Sequence, residues 1–581
     1  MRFSYLFPVG GGSAGCALAR RLWEDSHLSI LMIESGTTAP WISLVPMLAP
    51  GLQGYTADWG YKTVTQKHSH FGMREQQSSW PRGKVLGGSS VLNYLLHMWG
   101  AKSDFDNLWN SEGSGWDFES VHGYFKRSES FQRNPGSTVS AMRGKQGPMP
   151  VTEFDTSTSP LASAFLDGVS ALGIEIGDLN GELENGAMPS QSNIWNGWRV
   201  NVVDAYLDSI VDMSNIHLLT STLALQVLTK DKKAIGVVTV NLYSGVTHRI
   251  EANYEVILSA GVVGTPQILM LSGIGPLEHL QYHKIPVVAD VPGVGQNLRD
   301  HLNVPLYFNL NAPISATTTK VRSTKEVWKY VTEGKGFLAN SGVESIVRLP
   351  VPGKNETQSK MLFMLFNLGS VNELFSSIAN VENDTFLSTF PDTRNDSKEG
   401  FIILASCTQP ASKGHIRLAS PNPIIPPLID PNYLSKQEDV KCLIKAIKTA
   451  AKLGSTKPLR ELGARLYLPA YEKCTKFSQS LEDDKYLECW IRTIALTAYH
   501  PVGTCRMGPK DDPTSVLDWE LRVRGIENLR VVDGSAFPYM TSGNPHAVTL
   551  MLAERAADFI LRDIKKKKTD QEHPSMQTVL Q

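Results

Sequence analysis

The stretch Val9-Gly10-Gly11-Gly12-Ser13-Ala14-Gly15-Cys16 decides the fold. It satisfies G-x-G-x-x-G at Gly10, Gly12 and Gly15, with Ser13 and Ala14 completing the turn. An apolar run, Phe3 to Val9, precedes it; a helix-forming run, Cys16 to Trp23, and a second apolar run, Leu28 to Glu34, follow. Strand, glycine turn, helix and strand is the order of a βαβ nucleotide-binding unit. The first glycine permits the tight turn, the second lets a pyrophosphate approach the backbone, and the third lets the helix pack on the strand. The helix start then offers free N–H groups and partial positive charge to an anion. Glu34 stands where a carboxylate hydrogen-bonds ribose hydroxyls. The motif alone does not separate FAD from NAD. Pro8 is out of keeping, because it removes a ladder hydrogen bond from what should be a central strand.

Outward from this unit, 581 residues exceed what one hydrophobic core supports, so two domains interleaved in sequence are expected. Apolar residues make up 41% and charged residues 19%, as in ordinary globular chains. A formal charge of -1 gives no summed field to attract nucleic acid. The basic run Lys565 to Lys568 reads as part of a solvated tail. No apolar stretch is long enough to span a membrane. MRFSYLF runs directly into the glycine motif, leaving no room for a signal peptide. Together with Pro8, this predicts an incomplete or alternative N-terminus.

Further along, His217 to Leu228 and Ala234 to Leu242 read as strands, and Tyr254 to Ala260 as a strand leading into a helix. Ala312 to Glu399 reads as polar and irregular, a substrate-side region with a mobile cover. An amphipathic helix is expected from Gln437 to about Leu453. Sequons at Asn355, Asn383 and Asn395 hint at a secreted surface loop. Cys474 and Cys489 could close a disulfide in a secreted chain, whereas Cys16 and Cys505 read as buried thiols. No Cys-x-x-Cys pair or His-Glu-x-x-His helix offers a metal site, and no G-x-S-x-G elbow marks a serine hydrolase.

Several later segments resemble the glucose–methanol–choline (GMC) oxidoreductases. Pro81-Arg82-Gly83-Lys84-Val85-Leu86-Gly87-Gly88-Ser89-Ser90-Val91-Leu92-Asn93 is similar to the first family signature. Ser259-Ala260-Gly261 with Thr265 to Gly275 is similar to the second. His500-Pro501-Val502-Gly503-Thr504 and Ser542-Gly543-Asn544-Pro545-His546 resemble the C-terminal active-site stretches. Val294 to Leu298 with Asp300-His301, and Ile429 to Tyr433, also match, so the resemblance covers nearly the whole chain. Asp58-Trp59-Gly60-Tyr61 is similar to the animal glucose-dehydrogenase-like branch.

The resemblance implies a mixed α/β fold, with a Rossmann-like FAD-binding domain interleaved with a substrate domain on a largely antiparallel sheet. Residues 1–305 would be mainly FAD-binding, with a substrate-side insertion at about 151–210. Residues 306–510 would be mainly substrate-binding, 511–562 a return to the FAD domain, and 563–581 a disordered polar tail. FAD would contact Gly10, Gly12, Ser13, Ala14, Gly15 and Glu34 of the first motif. It would also contact Arg82, Val85, Gly87, Gly88, Ser89 and Asn93 of the first signature. Ala224, Gly261, Asp533, Gly534, Asn544, Pro545 and His546 would complete its site. Leu92 stands where some members attach FAD through histidine, which implies a non-covalent cofactor. Departures are His97 in place of an aromatic residue, Val262 in place of a small one, and the valines of Arg199-Val200-Asn201-Val202.

The implied reaction oxidises a CH–OH group of a small alcohol or sugar-like molecule. A base takes the hydroxyl proton, the flavin takes hydride, and a quinone-type acceptor or oxygen takes the electrons. Histidine suits the base because its ordinary pKa lies near neutrality. His500 is the expected base and His546 its partner on the substrate oxygen; which of the two takes the proton stays open. His68, His70, His122 and His279 read as structural, as do His97 and His301. Pro8, the short lead-in and the valines motivate an alternative, a flavin-binding relative without turnover that serves as a secreted binding or structural glycoprotein. The family and the sequons point to an extracellular site; the compartment and oligomeric state stay open.

Overall fold

The computed structural model describes residues 5–24, 28–111, 113–132, 140–208, 210, 215–353, 360–371 and 373–572. Asn355 of the first sequon, and residues 573–581 of the expected tail, lie outside them. Short, almost wholly apolar segments form a five-stranded sheet in the order Ile216–Leu219, Ser29–Ile33, Tyr5–Val9, Val256–Leu258, Leu529–Val531. Every pairing in it is parallel. Buried on both faces, such strands carry continuous rather than alternating apolar residues.

Pro8 does sit in the central strand of this sheet, but it does not break it. Toward Val256–Leu258 the register runs unbroken through Phe7, Pro8 and Val9. Toward Ser29–Ile33 the register holds at Leu6 and Val9 and skips Pro8. Beyond the gap the Gly10 N–H donates to Ile33 O at 2.8 Å. One lost rung, worth about 1 kcal/mol net, is small beside the burial of the strand.

Two helices from opposite ends of the chain, Ser13–Glu24 and Pro545–Glu572, pack together beside this sheet. The Arg21 guanidinium donates to the buried Glu554 carboxylate at 2.6 Å, and Tyr206 donates to its other oxygen at 3.0 Å. The second helix continues to Glu572, past Asp563 where the sequence reading starts a disordered tail. Its apolar positions through Ile564 are buried, which holds the backbone helical beyond the motif region.

The second sheet is antiparallel, in the order Arg465–Leu466, Leu302–Asn309, Gly400–Cys407, Lys360–Phe366, Val343–Pro350, Gly186–Pro189. Leu496–Thr497 pairs with the start of Leu302–Asn309. Ala312 to Glu399 is therefore not irregular, because it supplies two strands of this sheet. Those strands hide polar residues that are partnered inside. Glu344 accepts from Ser159 Oγ at 2.6 Å and from Asn367 Nδ2 at 2.8 Å. Arg348 donates to the carbonyls of Leu179, Leu183 and Glu184. A polar residue with its partners supplied by distant loops reads locally as surface.

The helix Gln437–Leu453 lies across this sheet with the bounds expected from its periodicity. The Cys474–Cys489 disulfide is present, and Cys16 and Cys505 are buried thiols. A second disulfide, Cys407–Cys442, ties the strand Gly400–Cys407 to that helix. It closes a sequence separation of 35, so the chain-entropy account gives it about 3–4 kcal/mol. Cys442→Ala should lower the unfolding free energy by that amount under non-reducing conditions. An unchanged denaturant midpoint would show that the bond does not hold the helix to the sheet.

Candidate active site

Glycines at the head of the parallel sheet let backbones approach until only hydrogen separates them. A Cβ on Gly15 would stand 2.0 Å from Gly10 O, and one on Gly10 would stand 2.3 Å from Ser259 O. Gly10 also has φ +112, a conformation that side chains oppose. Gly12 differs: a Cβ there would meet nothing closer than Gly88 Cα at 3.8 Å. Its missing side chain leaves room that the rest of the chain does not fill. This is the clearance a pyrophosphate would need.

Gly12 opens on a cavity of about 510 Å³. From the first motif Gly10, Gly12, Ser13, Ala14 and Glu34 line it, and from the signature Arg82, Gly88, Ser89 and Asn93 do. Ala224, Gly261, Asp533 and Gly534 form a further part of the wall, and Asn544, Pro545, His546 and His500 another. Gly15, Val85 and Gly87 are not on the wall. Gly15 packs against Gly10, Val85 is buried, and Gly87 with φ +97 turns the chain behind Gly88.

Three helices begin at this wall: Ser13–Glu24, Gly261–Leu271 and Pro545–Glu572. Their free N–H groups and positive ends favour a polyanionic ligand. Asp533 sets the second start, accepting from Gly261 N at 2.9 Å, Thr265 Oγ1 at 2.6 Å and Ser535 N at 2.7 Å. Glu34 accepts from Gly11 N at 2.9 Å and Gly36 N at 2.7 Å, which fixes the glycine turn to the end of the second strand. Burial pushes both carboxyl pKa values up, against the pull of these N–H donors. Arg199 clamps the signature turn by donating to Ser90 O at 2.9 Å and to Asn93 Oδ1 at 2.7 Å. Burial brings its pKa down to about 9. The neighbouring valines leave this clamp intact.

His500 is buried, and its backbone N–H donates to Asp300 Oδ1 at 2.8 Å. Its Nδ1 lies 3.0 Å from His301 Nδ1, and His301 Nε2 lies 2.7 Å from Thr408 O. A carbonyl only accepts, so the His301 proton is on Nε2 and its Nδ1 carries a lone pair. His500 must then donate from Nδ1, which leaves a lone pair on His500 Nε2 to accept a hydrogen bond. Asn544 Nδ2 is the group facing that nitrogen, at 2.9 Å.

Asn544 is the side chain beside His500 Nε2, and His301, which the sequence suggests is structural, is hydrogen-bonded to His500. His546 lies on the same cavity wall, with both ring nitrogens sealed from solvent and without a hydrogen-bond partner among the described residues. Asn544 Oδ1 and Ser259 Oγ, also of wall residues, lack partners too. Such orphaned atoms fit a site shaped around a polar ligand. The departure His97 is structural: its Nε2 lies 3.0 Å from Glu129, which accepts twice from Arg143 at 2.8 Å.

Burial holds His70 at about 3, His301 at about 4 and His546 at about 3. It also holds His500 well below 6.5, with His301 and Arg82 adding repulsion. A histidine whose folded pKa is depressed binds its proton more readily when unfolded. Its contribution to stability is therefore complete above about pH 6.5 and is lost as pH falls below that, toward the folded pKa. Each such group should give a slope of about 1.4 kcal/mol per pH unit in that window. Denaturant titrations between pH 6.5 and 4 should show an uptake of more than one proton on unfolding. A flat profile there would contradict the buried neutral histidines.

With that geometry in view, comparison with known proteins gives a consistent picture. Two GMC oxidoreductase family models match, one over residues 3–303 and the other over 410–553. The chain is 34% identical to "Glucose dehydrogenase [FAD, quinone]" of Drosophila melanogaster over 95% of its own length and 86% of that protein. It is 33% identical to "Alcohol dehydrogenase [acceptor]" of Pseudomonas putida over 97% of this chain and 96% of the other. Among solved structures it resembles pyridoxine 4-oxidase from Mesorbium loti at a TM-score of 0.79 and 27% identity, covering 96% of this chain and 99% of that one.

Proposed function

The chain belongs to the GMC oxidoreductase family, and from that premise we propose that it is an FAD-dependent dehydrogenase or oxidase of apolar alcohols, with His500 as base. The protein is an FAD-dependent oxidoreductase acting on CH–OH donors. The observation that carries the finer reading is the Thr408–His301–His500–Asn544 chain, which fixes the His500 tautomer so that its Nε2 lone pair faces the Asn544 amide at the cavity wall.

FAD would lie along Gly12, Ser13, Gly88 and Ser89, with Glu34 near its ribose and the helix starts facing its phosphates. His546 and Ser259, with their orphaned polar atoms, are the side chains left to meet its polar edges. Leu92 on the wall offers no nucleophile for a covalent bond, in keeping with dissociable FAD. When bound, FAD supplies the hydride acceptor.

The chain's own residues manage the proton. An alcohol that displaces the Asn544 amide from His500 Nε2 would donate its O–H to that nitrogen. The Asn544 amide would donate to the same oxygen and steady the charge that develops there. The proton then resides on His500 Nε2 while the C–H bond yields its hydride, which leaves the carbonyl product. His301 acts through His500 by holding its tautomer. Arg82 donates to Tyr499 O at 2.9 Å and brings a buried positive charge close to the base.

The substrate side of the cavity is the antiparallel sheet and its loops. Tyr94, Met364, Phe366, Phe390, Ile402 and Leu404 line it, with Tyr94 stacked parallel to Tyr499 at 6.4 Å. Such a wall removes apolar surface from water but offers little to a ring of hydroxyls. This supports an aryl or alkyl alcohol over a sugar.

Anaerobic addition of alcohols to the FAD-loaded protein should bleach the flavin bands with an aryl or long-chain alcohol and not with glucose. Bleaching by glucose alone would reverse the substrate assignment, and readmitting oxygen or a soluble quinone would identify the acceptor. His500→Ala should retain FAD and lose about 10²–10⁴-fold in turnover. The acid limb of kcat/KM should lie below pH 6.5, because the base stays neutral there. Full activity in His500→Ala would remove the residue from the mechanism.

A further inference from the structure

Away from the cavity floor, three segments meet around the buried side chain of Tyr330 and present tryptophan to solvent. The first is the short helical turn Trp41–Leu44, with Trp41 73% exposed. The second is the hairpin Ile194 to Arg199, whose cross-strand pair Trp195 and Trp198 is 45% and 41% exposed. The third is the helix Thr324–Glu333. The Trp198 ring lies 5.1 Å from the Tyr330 ring, and Arg199 Nε donates to Ser43 O at 2.9 Å. A Cβ on Gly197 would stand 2.3 Å from Gly334 O, so the hairpin tip is pressed against the helix end. The three segments thus form one supported surface.

On the helix, Tyr330 faces inward, and Val327, Val331 and Trp328 follow one another around the outer side at i, i+4 and i−3 spacing. Trp328 is 70% and Val331 64% exposed. A helix that packs only against its own protein would not turn this stripe outward. Beside the stripe stand Lys325 and Lys329, with Arg322 and Lys335 at the two ends, all exposed. Of the nearby acids, Glu326 accepts from the Phe337 N–H, which leaves Glu333 as the exposed carboxylate of the helix.

Projecting tryptophans, an apolar stripe and a basic border are what a bilayer interface binds. The indoles suit the headgroup level, the valines the acyl boundary and the lysines anionic lipid. We infer that this face docks the protein on an anionic lipid surface. No helix among the described residues is long and apolar enough to cross a membrane, and this docking needs none. The segment after Trp41 runs on through Met47 and Pro50 to line the cavity. The docked face therefore adjoins the wall of the site.

The test is flotation of the full, FAD-loaded chain with phosphatidylcholine vesicles, with and without about 30 mol% phosphatidylserine. The protein should float with the anionic vesicles and lose that association in high salt. Trp328→Ser with Val331→Ser, and separately Lys325→Glu with Lys329→Glu, should each weaken binding at least about tenfold. Both pairs should keep the parent's melting temperature and its turnover of a soluble alcohol, because none of these residues touches the cavity. Failure of the parent chain to float on anionic vesicles would overturn the inference. So would flotation that both variants retain, or a concentration-dependent dimer that the same substitutions dissolve.

Discussion

The carboxylate of Asp300 is buried and accepts three hydrogen bonds: from His500 N at 2.8 Å, from Thr497 Oγ1 at 2.6 Å, and from the Tyr433 hydroxyl. Burial raises the cost of its charge, so these donors have to be held firmly in place. Tyr433 in turn accepts from Trp80 Nε1 at 3.1 Å, which reaches the segment that leads into the signature turn. One buried carboxyl thereby sets the backbone of His500 and braces the strand Leu496–Thr497. It also ties the substrate sheet to the cofactor wall. His301, the next residue, can reach His500 only because Asp300 has brought the two segments together.

The same dependence explains which parts of the fold could be read from sequence. Gly10, Gly12 and Gly15 declare their role by spacing alone, although the backbone that Gly10 admits, at Ser259, is distant in sequence. The helix Gln437–Leu453 is equally legible, since its period follows from one buried face. The strands Val343–Pro350 and Lys360–Phe366 were hidden by Glu344, Arg348 and Lys360. Their partners, such as Ser159, Glu184 and Asn367, come from elsewhere in the chain. Cys407 and Cys442 gave no sign of pairing, because their approach depends on how a helix crosses a sheet.

At the site, motif context points to His500 as a candidate but says nothing of the neighbours the fold gives it. His301 stands 199 residues away in sequence, beside a segment that looked like a cofactor motif, and nothing local marks it as a partner of the base. Asn544 and His546 flank Pro545, where the last long helix begins, so two polar side chains compete for one role within three residues. The backbone turn at the helix start sets where each one lies. It places Asn544 against His500 and leaves His546 on the wall with its nitrogens unpartnered. Beside Arg199 only the valines stand out in the sequence; its clamp on the signature turn needs the folded hairpin.

The parallel sheet begins with Tyr5–Val9 and is completed by Leu529–Val531, and the helix packed beside Ser13–Glu24 ends at Glu572. A ribosome adds about 5–20 residues per second, so the first strand emerges roughly half a minute to two minutes before its last neighbours exist. Throughout that time the face of the first helix has no native cover, and for the second half of it neither does the apolar edge of Val256–Leu258. The cofactor wall, which needs Asp533 and the start of the helix at Pro545, is complete only once those late segments have joined a sheet whose first strand was made long before them.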